Sequence, residues 1–301
     1  MPYLCLPFAL TALAFLPMPA SDTPAPAHDM SFIDHLEELR WHLLRSIIAI
    51  TIITIAAFLL KSWVFDQLIF APCQEGFFTY RAFCHLAHQF NLGDSLCFKP
   101  ANFKLINTEM SGQFTMHLQV ALVLGFIASF PYIFWEIWRF VETGLHDDEK
   151  KYTQGIVFGA SLLFFLGVLF GYYVITPFSI NFLAGYYVSD SVANTISITS
   201  YVGTLTSIVL SAGIMFELPM LVFFLAKMGL IYADWMRQYR RHAFVVILFI
   251  AAIITPPDVW SQILVTIPVY LLYEAGIWVA AVVEKRDQLP PNDEKSVAKQ
   301  A

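Results

Sequence analysis

The chain has 301 residues, 58% hydrophobic and only 13% charged, with a formal net charge of −6. That balance excludes an ordinary soluble domain and fits a polytopic membrane protein whose apolar runs cross a bilayer several times. No nucleic-acid partner is expected, and the net charge matters less than where the charges sit relative to the spans.

Residues 1–29 hold an apolar run over 3–15 and then a Pro- and Ala-rich stretch. No Lys or Arg precedes the apolar run, so the positive region of a signal peptide is missing. Met30 is therefore expected as the functional start. A translated extension or an atypical targeting segment is the alternative.

Residues 31–45, SFIDHLEELRWHLLR, read as a charged amphipathic helix on the membrane surface. Ser31 and Asp34 suggest a capping box; Leu36, Leu39 and Leu43 share one face, and Asp34, Glu38 and His42 another. Glu38 is thus held in water beside lipid, where a carboxylate can receive a guanidinium through two oxygens at once. The competing reading is that Glu37 and Glu38 pair with Arg40 and Arg45 and only solubilise the turn.

A first span is expected over about 43–60, followed by a long polar loop to about 108. That loop carries Cys73, Cys84, Cys97, His85 and His88. A disulfide, most simply Cys84 to Cys97, competes with a Cys/His metal site, for which no four-ligand spacing is evident. A second span over about 111–140 exceeds the hydrocarbon core and should tilt or bend at Pro131, with Trp135, Trp138 and Arg139 marking its near interface. His117 and Gln119 near its start are expected to satisfy backbone or neighbouring helices.

After the charged loop 144–151, a third span is expected over about 152–175 and a polar stretch over about 176–200. A fourth span covers about 201–225, and a fifth apolar run 243–254 ends at the turn Thr255-Pro256-Pro257-Asp258. A sixth run covers about 259–283, and the tail 285–301 reads as disordered. The fifth run is only about a dozen residues long and the sixth meets Glu274 after about 15, so both look short and the bilayer beside them should be thinned. The fold class is all-α, with six spans over residues 30–284 and both ends on one side. Thirteen of the 17 Lys and Arg fall on the side of the opening stretch, so the positive-inside rule puts both termini in the cytoplasm.

Glu217, in Phe216-Glu217-Leu218-Pro219, falls roughly midway along the fourth span beside a helix-breaking proline. A carboxylate at that depth costs about 2.5–3.5 kcal/mol or more unless neutralised, hydrated or bonded, which makes it a candidate functional group. The alternative is a protonated structural acid bonded to a neighbouring helix. Glu136 and Glu274 lie nearer the helix ends and read as structural acids that snorkel.

Together these stretches resemble the TatC family, the receptor and core subunit of the twin-arginine protein translocase. The resemblance rests on His35-Leu-Glu-Glu-Leu-Arg40, Phe216-Glu-Leu-Pro219, Thr255-Pro-Pro-Asp-Val-Trp-Ser-Gln262, Ile267-Pro-Val-Tyr270 and Tyr273-Glu274, and covers about residues 30–284. It implies six helices in a curved, cup-like arrangement in a bacterial cytoplasmic membrane, binding signal peptides with paired arginines and passing folded cargo under the proton-motive force. The family's signal-binding positions match Glu38, Glu149 and Arg40. Its mid-membrane acid matches Glu217, which would meet a polar residue on single-span partners of the TatA and TatB type. Pro256, Pro257, Asp258 and Gln262 match its structural turn, and a homo-oligomer in the receptor complex is implied.

Departures are His42 at a basic position, Thr143 at a usual proline, and the Cys-containing loop. No P-loop, HExxH or Rossmann fingerprint is present, so no enzyme activity, cofactor or metal is expected. The competing function is a proton-coupled secondary transporter using Glu217, although its acid and proline have no counterpart in the first three spans as paired repeats would require.

Overall fold

A computed structural model of the chain describes residues 32–74, 76–89, 104–142, 153–187, 189, 195–254 and 259–287. Residues 1–29, Ser31, Cys97, Glu149, the Pro256-Pro257-Asp258 turn and the tail beyond 287 lie outside the described residues.

α1 (Phe32–Leu59) is one helix of 28 residues. This corrects the expected division into a surface helix and a separate span. Neither Gly nor Pro occurs between Phe32 and Leu59, so nothing breaks the backbone where the charged turns give way to apolar ones. Ser46 and Thr51 donate to the carbonyls of His42 and Ile47 at 3.0 and 2.8 Å, so their hydroxyls are satisfied inside the helix.

α1 packs along α4 (Gly112–Glu142), which carries Pro131 in its interior. The two approach closely because Gly125 has no side chain: a Cβ there would overlap Thr54. Nearer the far end His117 stacks on Phe58, ring centroids 3.9 Å apart, and hydrogen-bonds its carbonyl at 3.1 Å. Gln119 donates to Thr206 at 2.8 Å, so both polar residues satisfy neighbouring helices as expected. Otherwise α1 is nearly bare, with Ile48, Ile52, Ile55 and Leu59 exposed to the surroundings.

The loop after α1 is more ordered than its polar composition suggests. Helical winding continues through α2 (Lys61–Trp63), a π turn (Val64–Ile69) and a 3-10 turn (Ala71–Cys73), and α3 (Phe78–Gln89) follows. Three phenols close the carbonyls that this uneven winding leaves open. Tyr172 donates to Leu68 at 2.7 Å, Tyr201 to Ile69 at 2.7 Å and Tyr80 to Pro72 at 2.9 Å. Cys84 is disulfide-bonded and Cys73 is free. No group of three or more metal-ligating side chains is found among the described residues.

Two strands, β1 (Lys104–Ile106) and β2 (Thr195–Ser197), pair in parallel with Leu105 opposite Ile196. They depart from a purely helical expectation. The pairing is parallel because each strand feeds a helix that starts at this end of the bundle, hereafter the cap end.

The third span is longer than expected. α5 (Thr153–Phe170) passes through a π turn (Gly171–Ile175) into α6 (Thr176–Gly185), so the polar stretch expected from 176 begins only after 185. Pro177 does not end the helix because it sits in the first turn of α6, where its missing N–H is not needed. Thr176 donates to the Gly171 carbonyl at 2.8 Å across the π turn.

The fourth span is α7 (Ile198–Phe216) and α8 (Leu218–Lys227), joined at Glu217. After the short α9 (Ala233–Gln238), α10 (Arg240–Ile254) has 15 residues, about 22 Å of helix. α11 (Val259–Asp287) has 29 residues, which corrects the expectation of a short sixth run. Glu274 does not stop it, because the carboxylate pairs with Arg240 at 2.7 Å and accepts from Tyr270 at 3.2 Å. Among the described residues, five helical segments are long and apolar enough to cross a membrane, in place of the six spans expected: Glu37–Leu59, Gly112–Val141, Gly155–Gly185, Ile198–Lys227 and Ser261–Lys285.

Apolar packing binds these spans in three clusters. The largest joins α4, α5 and α7 to the cap through Phe130, Phe164, Val202 and Ile69, with Phe130 stacked on Phe164 at 3.6 Å. A second joins α7, α10 and α11 through Ile208, Ile247 and Val265, and a third joins α8, α9 and α11 through Val222, Met236 and Ile277. Besides the Arg240 to Glu274 pair, polar links hold the short helices on α11 through Tyr273 to Met236 at 2.8 Å, Ala233 to Glu284 at 2.6 Å, and Gln262 to the Leu248 carbonyl at 3.3 Å.

Candidate functional site

Two separate carboxylate sites emerge. The first lies on the opening turns of α1, at the end of the bundle opposite the cap. Glu38 is half-buried, while Glu37, Arg40 and Trp41 are exposed. No ion pair joins Glu38 to Arg40 or Arg45 among the described residues, so the solubilising pair is not formed and the Glu38 carboxylate is available. One turn further on, His42 is buried, and its Nδ1 lies 2.5 Å from Oε2 of Glu136 on α4. Glu136 is 2% exposed, which corrects the expectation of a snorkelling acid. It points inward, where Tyr132 also hydrogen-bonds it and Arg45 approaches to 3.9 Å. Sequence reading noted His42 as a departure and Glu136 as structural without joining them. A usable signal was present: one histidine and one acid, each near the same end of consecutive apolar helices.

Beside this site α4 and α5 leave an open cleft of about 550 Å³, lined by Pro131, Trp135, Phe158, Leu162 and Phe165, with Ser161 its one hydroxyl. The connection 143–152, which carries Glu149, lies outside the described residues.

The second site is Glu217. Pro219 supplies no N–H to the turn before it, and the Glu217 N–H bonds back to the Ile214 carbonyl at 3.1 Å, so α7 ends and α8 begins afresh. α7 can lie against α5 at this point because a Cβ at Gly213 would meet the Phe164 ring at 2.8 Å. Both carboxylate oxygens of Glu217 are buried and lack a hydrogen-bond partner among the described residues. The Phe164 backbone on α5 is the one hydrogen-bonding group beside this carboxylate, and no side chain among the described residues pairs with it.

Cys73 and Tyr80 lie in the cap, away from both sites. Burial pushes the Cys73 thiol above its ordinary value, with a hydrogen bond from Tyr201 offsetting part of the rise. Burial and the neighbouring Cys73 push Tyr80 up to about 12.

The fold and these sites define a polytopic helical membrane protein with an acidic turn leading its first span and an unsatisfied carboxylate where its fourth span breaks. The chain belongs to the TatC family: the family described as Sec-independent protein translocase protein (TatC) matches residues 34–268. It is 38% identical over 260 residues to the protein of that name from Blattabacterium sp. subsp. Periplaneta americana, covering 86% of this chain and 98% of that one. It is 35% identical to the one from Koribacter versatilis, covering 86% and 88%. Two crystal structures of the twin-arginine translocase receptor TatC, one of them in DDM, superpose with TM-scores of 0.62 and 0.65 at 30% identity. They cover 83% and 82% of this chain and 99% of each of theirs. The protein is thus a translocase subunit of the Tat pathway and not an enzyme, and the carrier reading of Glu217 falls away.

Proposed function

We propose that this subunit receives twin-arginine signal peptides on the turn around Glu38 and docks single-span partner helices of the TatA or TatB type at Glu217. Two guanidiniums would each find a carboxylate, on Glu38 and on Glu149 in the loop after α4, with Arg40 beside them. The apolar part of the signal would pack in the cleft between α4 and α5. Lysine offers a point charge in place of a bidentate fork, so a lysine pair should bind worse than loss of fit alone suggests.

The positive-inside balance favours a cytoplasmic location for both termini, with α10 as a short sixth crossing in a bacterial cytoplasmic membrane. A crossing of about 22 Å thins the bilayer beside it, which lowers the barrier to partner assembly driven by the proton-motive force. Self-association within the receptor complex fits the same reading. The Cys84 to Cys97 disulfide would staple the cap on the oxidising side.

The observation that carries this reading is the pair of buried, unbonded oxygens on Glu217. A hydroxyl or amide on a partner helix would complete them inside the membrane. Glu217→Leu is expected to raise the thermal stability of the isolated subunit by about 1–3 kcal/mol, since an unsatisfied group is removed. The same substitution should cut crosslinking of a single-span partner to residue 214 at least tenfold. Wild-type levels of crosslinking in the variant would contradict the docking role.

A further inference from the structure

We propose that Glu136 is a positioning residue of the signal receptor, which sets the rotation of α1 through His42 and so aims Glu38 at the end of α4 that leads to Glu149. The inference rests on the reading of Glu38 and Glu149 as guanidinium receptors.

α1 is held mainly by α4. Thr54 against Gly125 and Phe58 against His117 lie 12 and 16 residues beyond His42, about 18 and 24 Å along the axis. Those contacts pin the far half of α1, and its opening turns are held by a link of their own. The His42 to Glu136 pair links the two helices at that end and is buried, with Arg45 of α1 3.9 Å from the same carboxylate.

Glu38 precedes His42 by four residues, so at about 100° per residue the two side chains lie within about 40° of one another around the helix. Fixing His42 against α4 therefore fixes Glu38 on the same side. Glu136 lies six residues, about 9 Å, before Glu142, where α4 ends. The pair thus ties the turn of α1 that carries Glu38 to the last turns of α4.

Tyr132 and Arg139 on its own helix and Arg45 on α1 also face Glu136. α5 and α7, which pack on α4 as well, contribute no charged residue. The carboxylate is consequently held by α1 and by α4 itself. Glu136 is too buried to bind a signal guanidinium, and its influence must pass through α1.

The test uses the full-length protein in bilayer nanodiscs, titrated with a fluorescent twin-arginine signal peptide and with the same peptide bearing a lysine pair. Wild type is compared with Glu136→Gln, Glu136→Ala, His42→Ala, His42→Ala with Glu136→Ala, and His42→Arg. Each single loss variant is expected to weaken arginine-peptide binding about tenfold and to shrink the arginine-over-lysine preference. The double variant should lose no more than the weaker single one, because the two residues act as a unit. His42→Arg, which keeps a donor for Glu136, should retain both affinity and preference.

A purely structural role would reduce the number of competent binding sites while leaving the preference between peptides unchanged, and that result overturns the proposal. An unaltered Glu136→Gln overturns it too. If wild type itself shows no preference for arginine, it is the receptor reading that fails.

Discussion

Glu217 and Glu136 are both acids inside apolar helices, and their surroundings give them opposite uses. Glu136 is closed off by His42 and Tyr132, whereas Glu217 has no ionic or side-chain partner among the described residues and only the Phe164 backbone beside it. The first environment fits the positioning role proposed for Glu136, and the second fits the docking role proposed for Glu217. The same contrast separates the two cysteines described. Cys84 is bonded, while Cys73 is a free, partly buried thiol beside Tyr201.

Since only the thiolate reacts, the raised Cys73 pKa has a consequence in solution. Alkylation of Cys73 in the folded protein at pH 8 should be much slower than that of an exposed cysteine, should quicken as pH rises, and should become fast once detergent unfolds the chain. Labelling at the rate of a free thiol at pH 8 would show that the cap leaves the sulfur open.

Among the elements, the junction of α1 with the cap rests on phenol-to-carbonyl bonds. Tyr201→Phe removes the donor for the Ile69 carbonyl at a buried position and should cost about 1–3 kcal/mol, read as a lower midpoint of thermal unfolding in detergent. An unchanged midpoint would mean that water replaces the phenol there. The existence of the long helices and the two acidic positions could be read from the sequence, because apolar length and a carboxylate amid apolar residues are local signals.

Other features could not be read in this way. Whether the third span stops at Thr176 depends on a π turn that absorbs Pro177. Glu274 looked like the end of a span because Arg240, which neutralises it, lies 34 residues away. The His42 and Glu136 pair spans 94 residues, and the parallel β1 and β2 pairing joins two loops that are remote in the chain. Contacts of this kind are set by tertiary packing and leave no periodicity behind.

Taken whole, the Glu38 turn of α1 sits on α4 and Glu217 sits where α7 meets α5, so the two proposed sites occupy separate places on one frame. The aromatic core of Phe130, Phe164 and Phe126 lies between them and makes that frame stiff. α10, at 15 residues, is shorter than the five segments long enough to cross, and it packs on α11.

Reception of the arginine pair is best judged by photo-crosslinking from residue 37 in membranes containing the protein, using a native twin-arginine signal and one with its arginines changed to lysine. Strong labelling by the native signal, falling severalfold with the lysine pair and again with Glu38→Ala, is the expected result. Equal labelling by both signals, unchanged in Glu38→Ala, would contradict a receptor built on this carboxylate.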